Sequence, residues 1–203
     1  MKPKNTVIIL LSLFMFSCEQ KYSIIDNQVY LKGWNEGSGN YERLVEKADS
    51  KTFQKIENDE NLTIGKDNKY VFFETEIIDN FDPNTLKYIG NYYFVDNDSA
   101  YFFGFYSSKN DCEIIGVNPN KLRIFKTYPW ASDDKHIIYG HDIVEIQNLN
   151  NFKVISENWG RTKTEVIYKG KILKSVDINS FEIINDEKAK DKYHTYEYGE
   201  ISN

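Results

Sequence analysis

The chain has 203 residues, a length that suits one domain or one continuous array of repeats. Its 31 acidic residues outnumber its 25 lysines and arginines, which argues against a nucleic-acid-binding protein, because such a protein needs a basic surface to neutralise phosphates. The 15 Tyr, 13 Phe and only 4 Pro exclude a disordered chain, and two cysteines exclude a fold held together by disulfides.

The N-terminus is typical of a secretory signal peptide. Lys2 and Lys4 give it a positive start, and residues 7–16 form an apolar run that only Ser12 interrupts. A helix rises about 1.5 Å per residue, so this run is too short to cross a hydrocarbon core of roughly 30 Å. The pattern therefore predicts that residues 1–17 are a signal peptide and are removed.

The end of the apolar run resembles the lipobox of bacterial lipoproteins. Ser17, a small residue, stands directly before Cys18, although the bulky Phe16 departs from the usual pattern. The resemblance implies cleavage between Ser17 and Cys18, acylation of the thiol and of the new amino terminus with fatty acids such as palmitate, and a short tether over residues 18–27. Several acyl chains hold a protein stably at a membrane. The alternative is an ordinary signal peptide followed by an incidental cysteine.

Residues 28–203 read as a β-repeat domain. Residues 130–139 align with 159–168, and looser copies occur upstream. In each copy an aromatic residue opens a strand, an Asp, Asn or Lys group supplies turn chemistry, and β-branched residues form the next strand. The repeat predicts an all-β fold of about five hairpin units in tandem, each of about 30 residues with three or four short strands. Both an elongated meander and a closed, propeller-like ring fit this pattern.

Two finer predictions follow from the alignment. Phe152 and Phe181 occupy equivalent positions and should both lie in the core between units. Residues 41–55 are the best candidate for a helix, since no other segment comes closer to a 3.6-residue period.

The repeated pattern resembles the DKNYY repeat family. The resemblance is clearest at residues 130–155, at 159–184 and in the segment Asp191-Lys192-Tyr193-His194-Thr195-Tyr196, and it departs from the family at Thr162 and Lys163. It implies the repeat architecture and a bacterial envelope or secreted protein. It implies no activity, cofactor or ligand, and it assigns no functional residues.

No side chains stand in a catalytic or metal-binding pattern. The spacing of His136, His141 and His194 gives no shared metal site, since zinc needs three or four converging ligands. Cys112 lies between two acids, which raise the pKa of a thiol rather than activate it. We therefore predict no catalytic residue, no metal and no cofactor.

The acidic runs also have an ordinary structural interpretation. Asp96-Asn97-Asp98 resembles a calcium loop, but Tyr101 stands at the sixth position, where an EF-type loop needs Gly. Turn formation explains this run and the one from Asp79 to Asp82.

The sequence thus favours a lipid-anchored protein of the bacterial cell envelope, at the outer membrane or the cell surface, with a non-catalytic binding or structural role. Its expected contacts are the membrane, through the acyl chains on Cys18, and an unknown protein or glycan. Two other readings stay open: a carboxylate-based envelope hydrolase, because the many acids offer possible pairs, and an immunity-type protein whose acidic charge suits a basic toxin.

Overall fold

The computed structural model describes residues 20–104, 111–147 and 149–202. These residues form six small antiparallel sheets, which follow one another along the chain as six units and close no barrel. Neighbours in each sheet are neighbours in the sequence, so every sheet is a meander. The all-β repeat architecture predicted from the sequence is confirmed. The number of units is six rather than about five, and the first sheet begins at Lys21, before residue 28.

The first three units contain ten strands. Unit 1 consists of β1 (Lys21–Ile25), β2 (Gln28–Asn35) and β3 (Gly39–Leu44). Unit 2 consists of β4 (Gln54–Lys55), β5 (Ile64–Lys66), β6 (Val71–Phe73) and β7 (Glu76–Ile78). Unit 3 consists of β8 (Lys87–Gly90), β9 (Tyr93–Val95) and β10 (Ala100–Phe102). Glu113 forms an isolated bridge with Tyr101 and takes the place of a fourth strand in unit 3.

The last three units have four strands each. Unit 4 consists of β11 (Arg123–Ile124), β12 (Trp130–Ser132), β13 (Ile137–Tyr139) and β14 (Asp142–Val144). Unit 5 consists of β15 (Lys153–Val154), β16 (Trp159–Arg161), β17 (Val166–Tyr168) and β18 (Lys171–Ile172). Unit 6 consists of β19 (Glu182–Ile183), β20 (Lys188–Lys190), β21 (Thr195–Glu197) and β22 (Glu200–Ser202). Single 3-10 turns at Pro119–Lys121 and Leu149–Asn151 precede units 4 and 5.

The hairpin between the last two strands of a unit turns on left-handed residues. In unit 5, Lys169 and Gly170 have φ of 45° and 79°, and in unit 6, Tyr198 and Gly199 have φ of 53° and 81°. Two consecutive residues with positive φ are the requirement of a type I′ turn, whose twist matches that of paired strands. Glycine suits each of these turns because it adopts positive φ without steric strain.

The hydrophobic core lies at the junctions between units. Each cluster of buried apolar side chains combines residues of two successive units. One cluster, for example, contains Trp130 of unit 4 and Ile167 of unit 5. Trp130 and Trp159 are fully buried. A three- or four-stranded sheet of this size cannot bury its own apolar face, so each unit depends on its neighbour for stability.

Three sequence expectations differ from the structure. Residues 41–55 form no helix: they contain the end of β3 and the start of unit 2. Residues 18–27 are not only a tether, since β1 pairs with β2 from Lys21 onwards and the fold begins before residue 28. The predicted core residues Phe152 and Phe181 are half-buried. Each packs against a fully buried tryptophan, which occupies the core position in its place.

Candidate functional site

Four aspartates at equivalent positions form the turn between the second and third strands of their units. In unit 4, Oδ1 of Asp133 accepts hydrogen bonds from the backbone N–H groups of Lys135 and His136, at 2.8 and 2.6 Å. Three other aspartates make the same pair of bonds: Asp67, Asp96 and Asp191. This is an Asx turn, in which a carboxylate replaces a backbone carbonyl. The predicted turn role of these residues is confirmed.

The second carboxylate oxygen binds the loop that leads into the unit. Oδ2 of Asp133 accepts from the backbone N–H of Asn118 at 2.9 Å. The corresponding donors to the other three aspartates lie 2.8–3.0 Å away, at Asp49, Asp82 and Asp177. One side chain thus fixes both the hairpin turn and the loop before it, and both of its oxygens are engaged.

These bonds keep the carboxylates ionised. Burial opposes ionisation, but the backbone hydrogen bonds outweigh it and hold the pKa of Asp96, Asp133 and Asp191 below the usual value of 3.8. The hydroxyls of Tyr101 and Tyr196 donate to Asp96 and Asp191 as well, at 2.7 and 2.8 Å. A general acid needs the opposite shift, a carboxyl pKa raised toward neutrality.

Unit 5 divides the same task between two side chains. Oγ1 of Thr162 accepts from the N–H groups of Thr164 and Glu165, at 3.1 and 2.9 Å, as Oδ1 does in the other units. Oε2 of Glu165 then accepts from the N–H of Gln147 at 3.2 Å, as Oδ2 does elsewhere. The departure from the family pattern at Thr162 therefore preserves the hydrogen bonds of the turn.

The histidines lie in different places. Nδ1 of His136 is 3.1 Å from Oδ2 of Asp133, and His194 holds the equivalent position in unit 6, where its Nδ1 is 3.7 Å from Oδ1 of Asp191. His141 is exposed beside Asp142. Across residues 20–104, 111–147 and 149–202, no three His, Cys, Asp or Glu side chains gather as metal ligands.

The candidate thiol is inaccessible. Cys112 is buried, and burial, followed by the charges of Glu113 and Asp111, raises the pKa of its thiol to about 11. The predicted upward shift is confirmed, with burial rather than the flanking acids as its main cause. The thiol stays protonated at neutral pH, so it is a poor nucleophile.

The acidic run at residues 79–82 also forms a turn. Oδ1 of Asp82 accepts from the N–H of Asn84 at 2.9 Å, and the hydroxyl of Thr85 donates to its Oδ2 at 2.6 Å. The bond from Thr85, with that from Asn84, lowers the pKa of Asp82. The predicted turn interpretation of this run is confirmed.

Aromatic side chains that open the second strand of units 3, 4 and 5 join each of these units to the next. The hydroxyl of Tyr93 in unit 3 donates to the carbonyl oxygens of Pro129 and Gly140, at 2.6 and 2.9 Å. The indole N–H of Trp130 donates to the carbonyls of Ser156 and Glu157, at 3.1 and 2.9 Å. Trp159 makes the same bonds to unit 6. The junctions are thus fixed by hydrogen bonds as well as by apolar packing.

Unit 6 has two charged residues at the positions where unit 5 has a cross-strand pair of aromatic residues. Trp159 lies opposite Tyr168 in the register of unit 5, and the equivalent residues of unit 6 are Lys188 and Glu197. They form a salt bridge with a distance of 2.9 Å between Nζ and Oε1. Unit 6 is therefore polar at the two positions where units 3, 4 and 5 carry aromatic rings.

An open groove of about 620 Å³ lies between units 5 and 6. Its buried lining residues are Tyr168, Leu173 and Tyr196. Exposed residues on the two edge strands also line it: Lys171 and Ile172 on β18, and Glu200 and Ile201 on β22. Lys169, Lys174 and Tyr198 also line it. Its volume lies within the range of small-molecule pockets, about 300–1,000 Å³.

The corresponding groove between units 4 and 5 is smaller and has a different charge. It measures about 310 Å³, Phe102 of unit 3 also lines it, and Asp142 stands where unit 5 has Lys171. The groove between units 5 and 6 is therefore the larger of these two and carries more positive charge.

Sequence reasoning missed this groove. In the sequence Tyr168 is only the last residue of the aligned range 159–168, and its contact with unit 6 depends on how two repeats pack. One signal was available in the sequence: Lys163, Lys169, Lys171 and Lys174 fall within twelve residues of an acidic chain.

The predicted lipidation and cleavage residues, Cys18 and Ser17, lie outside the described residues. In the described part of the chain, no helix is long and apolar enough to span a membrane.

Comparison with known proteins gives one result. The sequence pattern of the DKNYY family matches residues 22–200, and these residues include strands of all six units. Neither a curated protein nor a solved structure matches the chain. The match covers most of the 203 residues, and the chain belongs to the DKNYY family.

Proposed function

We propose that this chain is a lipid-anchored protein of the bacterial cell envelope or cell surface, with a non-catalytic binding or structural role. The hydrogen bonds accepted by the turn aspartates are the main support for the non-catalytic role. These are the most conspicuous acids of the repeat, and both oxygens of each accept hydrogen bonds from the backbone. A carboxylate with its lone pairs committed in this way stabilises the fold and is poorly placed to transfer a proton or attack a substrate.

The arrangement of the units supports a binding role. Repeat arrays present extended surfaces, and side chains at a unit junction can change without disturbing the turns that hold each unit together. The groove between units 5 and 6 is such a junction, and its lining differs from that of the groove one unit upstream. The excess of acids over bases agrees with a partner other than nucleic acid.

Single Asp96→Asn and Asp133→Asn variants test the non-catalytic role. Each variant places an amide N–H₂ near a backbone N–H that now donates to a carboxylate, so the melting temperature should fall. Function, scored by complementation of a deletion strain at low temperature, should persist. Asp134→Asn, at an exposed neighbouring position, is the matched control and should change neither quantity. An unchanged melting temperature with lost function at Asp96 or Asp133 would favour a carboxylate enzyme instead.

The anchor has a separate test. Growth with a clickable palmitate analogue should label the parent chain and the Cys112→Ala variant equally, while Cys18→Ala should take up no label. Cys112 is the matched control because it is the chain's other cysteine and is buried. Equal labelling of Cys18→Ala and the parent would contradict the anchor.

A further inference from the structure

The proposed anchor residue is very close in the chain to the folded part of unit 1. Only Glu19 stands between Cys18 and Gln20. The side chain of Gln20 is fixed to units 1 and 2, because it donates to the hydroxyl of Tyr41 and accepts from the hydroxyl of Thr63. A chain extends by at most about 3.6 Å per residue, so the Cα atoms of Cys18 and Gln20 are at most about 7 Å apart.

This distance matches the thickness of the polar layer of a membrane. The headgroups add roughly 5–8 Å on each side of a hydrocarbon core of about 30 Å. Acyl chains on Cys18 would be buried in the core, so Cys18 itself would lie at the boundary between the core and the headgroups. Gln20 would then lie within the headgroup layer or at its outer edge. The anchor thus brings the end of unit 1 that carries Gln20 against the headgroups.

The hairpin of β2 and β3 projects from the same end of the sheet. β1 begins at Lys21, which pairs with Lys32, while β2 continues for three residues to Asn35. At about 3.3 Å per residue, β2 extends about 10 Å beyond the start of β1, on the side where the chain leads back to Cys18. Three residues also separate Lys21 from Cys18, so a fully extended tether reaches no farther than the tip of the hairpin. The short tether therefore places this tip beside the headgroups.

The tip carries an exposed tryptophan. Trp34 is 48% exposed, whereas the other two tryptophans of the chain, Trp130 and Trp159, are fully buried. An indole ring combines a large apolar surface with one polar N–H, and tryptophan is enriched where membranes meet water for this reason. Trp34 is therefore the side chain of the tip that suits a membrane interface.

The turn beyond Trp34 sets the depth of the contact. Asn35 holds the turn together, since its side-chain oxygen accepts from the backbone N–H and the hydroxyl of Ser38, at 2.8 and 2.9 Å. The turn is polar and exposed, and it includes the charge of Glu36. A charged turn is costly in the hydrocarbon core but stays hydrated among the headgroups. The tip therefore fits the headgroup layer and not the core.

A protein partner fits the tip less well. The tip consists of residues 34–40, and a stable protein interface takes about 20–30 residues on each side. A membrane contact needs no such area, because the acyl chains on Cys18 already supply the affinity.

We propose that the tip of the β2–β3 hairpin, residues 34–40, lies in the headgroup layer of the membrane that holds Cys18, with the ring of Trp34 as its apolar contact. This inference rests on the proposed lipid anchor and adds a second contact with the same membrane. Unit 1 is then the part of the array that faces the membrane, and the short tether keeps it there.

Tryptophan fluorescence tests the contact, with the two buried indoles as an internal reference. The full lipidated chain is reconstituted into phosphatidylcholine vesicles whose lipids carry a nitroxide quencher either on the headgroup or near the end of an acyl chain. The headgroup quencher should lower the emission of Trp34 by about half or more, and the acyl-end quencher should lower it less. Trp34→Phe leaves only the buried indoles, and neither lipid should quench them appreciably.

The variant Trp34→Phe/Tyr193→Trp is the matched control. It moves the exposed indole to unit 6, where Tyr193 is 67% exposed. Both quenchers should affect this indole much less than they affect Trp34 in the parent. Equal quenching at the two positions would show that the chain contacts the membrane without preference for the tip, and it would overturn the proposal.

A longer tether tests why the tip lies at the membrane. An insert of about ten Gly and Ser residues between Glu19 and Gln20 has a root-mean-square length of roughly 17 Å, which exceeds the thickness of the headgroup layer. The quenching of Trp34 by the headgroup nitroxide should then fall by about half or more. Unchanged quenching would overturn the role assigned to the short tether.

The palmitate label on Cys18, measured on the same preparation, separates this inference from the anchor itself. Label without quenching of Trp34 would overturn the inference and leave the anchor standing, whereas an unlabelled parent chain would overturn both. Protection of Trp34 from aqueous iodide without quenching by either lipid would show that a protein covers the tip, and it would also overturn the inference.

Discussion

Replacing Thr162 by Asp should destabilise the chain, although Asp is the residue that four other units carry at this position. In unit 5, Thr162 accepts the turn N–H groups and Glu165 accepts the N–H of Gln147. An aspartate at 162 would bring a second carboxylate against Glu165. The further change Glu165→His restores the arrangement of unit 4, where His136 follows Asp133 by three residues.

The magnitudes follow from the distances. Oγ1 of Thr162 and Oε2 of Glu165 are 3.5 Å apart. Two like charges at about that distance repel by about 5 kcal/mol at an effective dielectric constant of 20, and rotation of the half-exposed Glu165 leaves roughly 1–2 kcal/mol for Thr162→Asp alone. Glu165→His alone removes the acceptor of Gln147 and costs about 0.5–1.5 kcal/mol. The double variant should come within about 0.5 kcal/mol of the parent, because one carboxylate then makes all three bonds.

Urea unfolding of the parent, both single variants and the double variant gives the coupling energy directly. We expect a favourable coupling of at least about 1.5 kcal/mol. Thr164→Asp is the control: it adds the same charge to the same turn at an exposed position, and Glu165→His should recover little of its effect. Additive effects of Thr162→Asp and Glu165→His would refute the division of the aspartate's task between two side chains.

Two further predictions concern the junctions between units. Trp159→Phe should lower the free energy of unfolding by about 1–3 kcal/mol, because two carbonyls of unit 6 lose their donor. The control Trp34→Phe, at a 48% exposed position, should cost less than about 0.5 kcal/mol. Equal losses in urea unfolding would contradict the role of the Trp159 indole in joining units 5 and 6. Gly170→Ala should lower the melting temperature more than Gly39→Ala does. Both glycines have positive φ, but only at Gly170 would the new Cβ lie 3.1 Å from Cβ of Tyr139. Equal falls in melting temperature would show that backbone strain alone decides the effect.

The repeat period, the turn aspartates and the strand composition are local signals, which is why the all-β architecture could be predicted from the sequence. The number of units could not. Unit 1 lacks the turn aspartate of the later units, and residues 41–55, which the sequence favours as a helix, contain the end of its strand β3. Tyr22 nevertheless joins unit 1 to unit 2 by donating to the carbonyls of Thr63 and Glu74, as Tyr93 joins units 3 and 4.

The candidate site was less accessible to sequence reasoning, because it arises between repeats. The alignment of the copies predicts Phe152 as a core residue, yet it lies over Gly160 and against Trp130 and is only half-buried. Tyr168 and Lys171 lie on adjacent strands, and what they face belongs to unit 6, which no local pattern specifies. The turn role of Asp133 follows from residue type alone, whereas its bond to Asn118 depends on tertiary packing.

The claim that the turn carboxylates are structural acceptors has one direct measurement, a ¹³C NMR titration of the aspartate side chains. Carboxyls with a lowered pKa stabilise the fold above the unfolded-state value of 3.8, and this stability is lost as the pH falls through the folded-state pKa. The account predicts titration midpoints below 3.8 for Asp96, Asp133 and Asp191, with no charge change between about pH 5 and 8. A midpoint above about 5 at any of these three residues would contradict it, since that is the state of a carboxyl prepared to donate a proton.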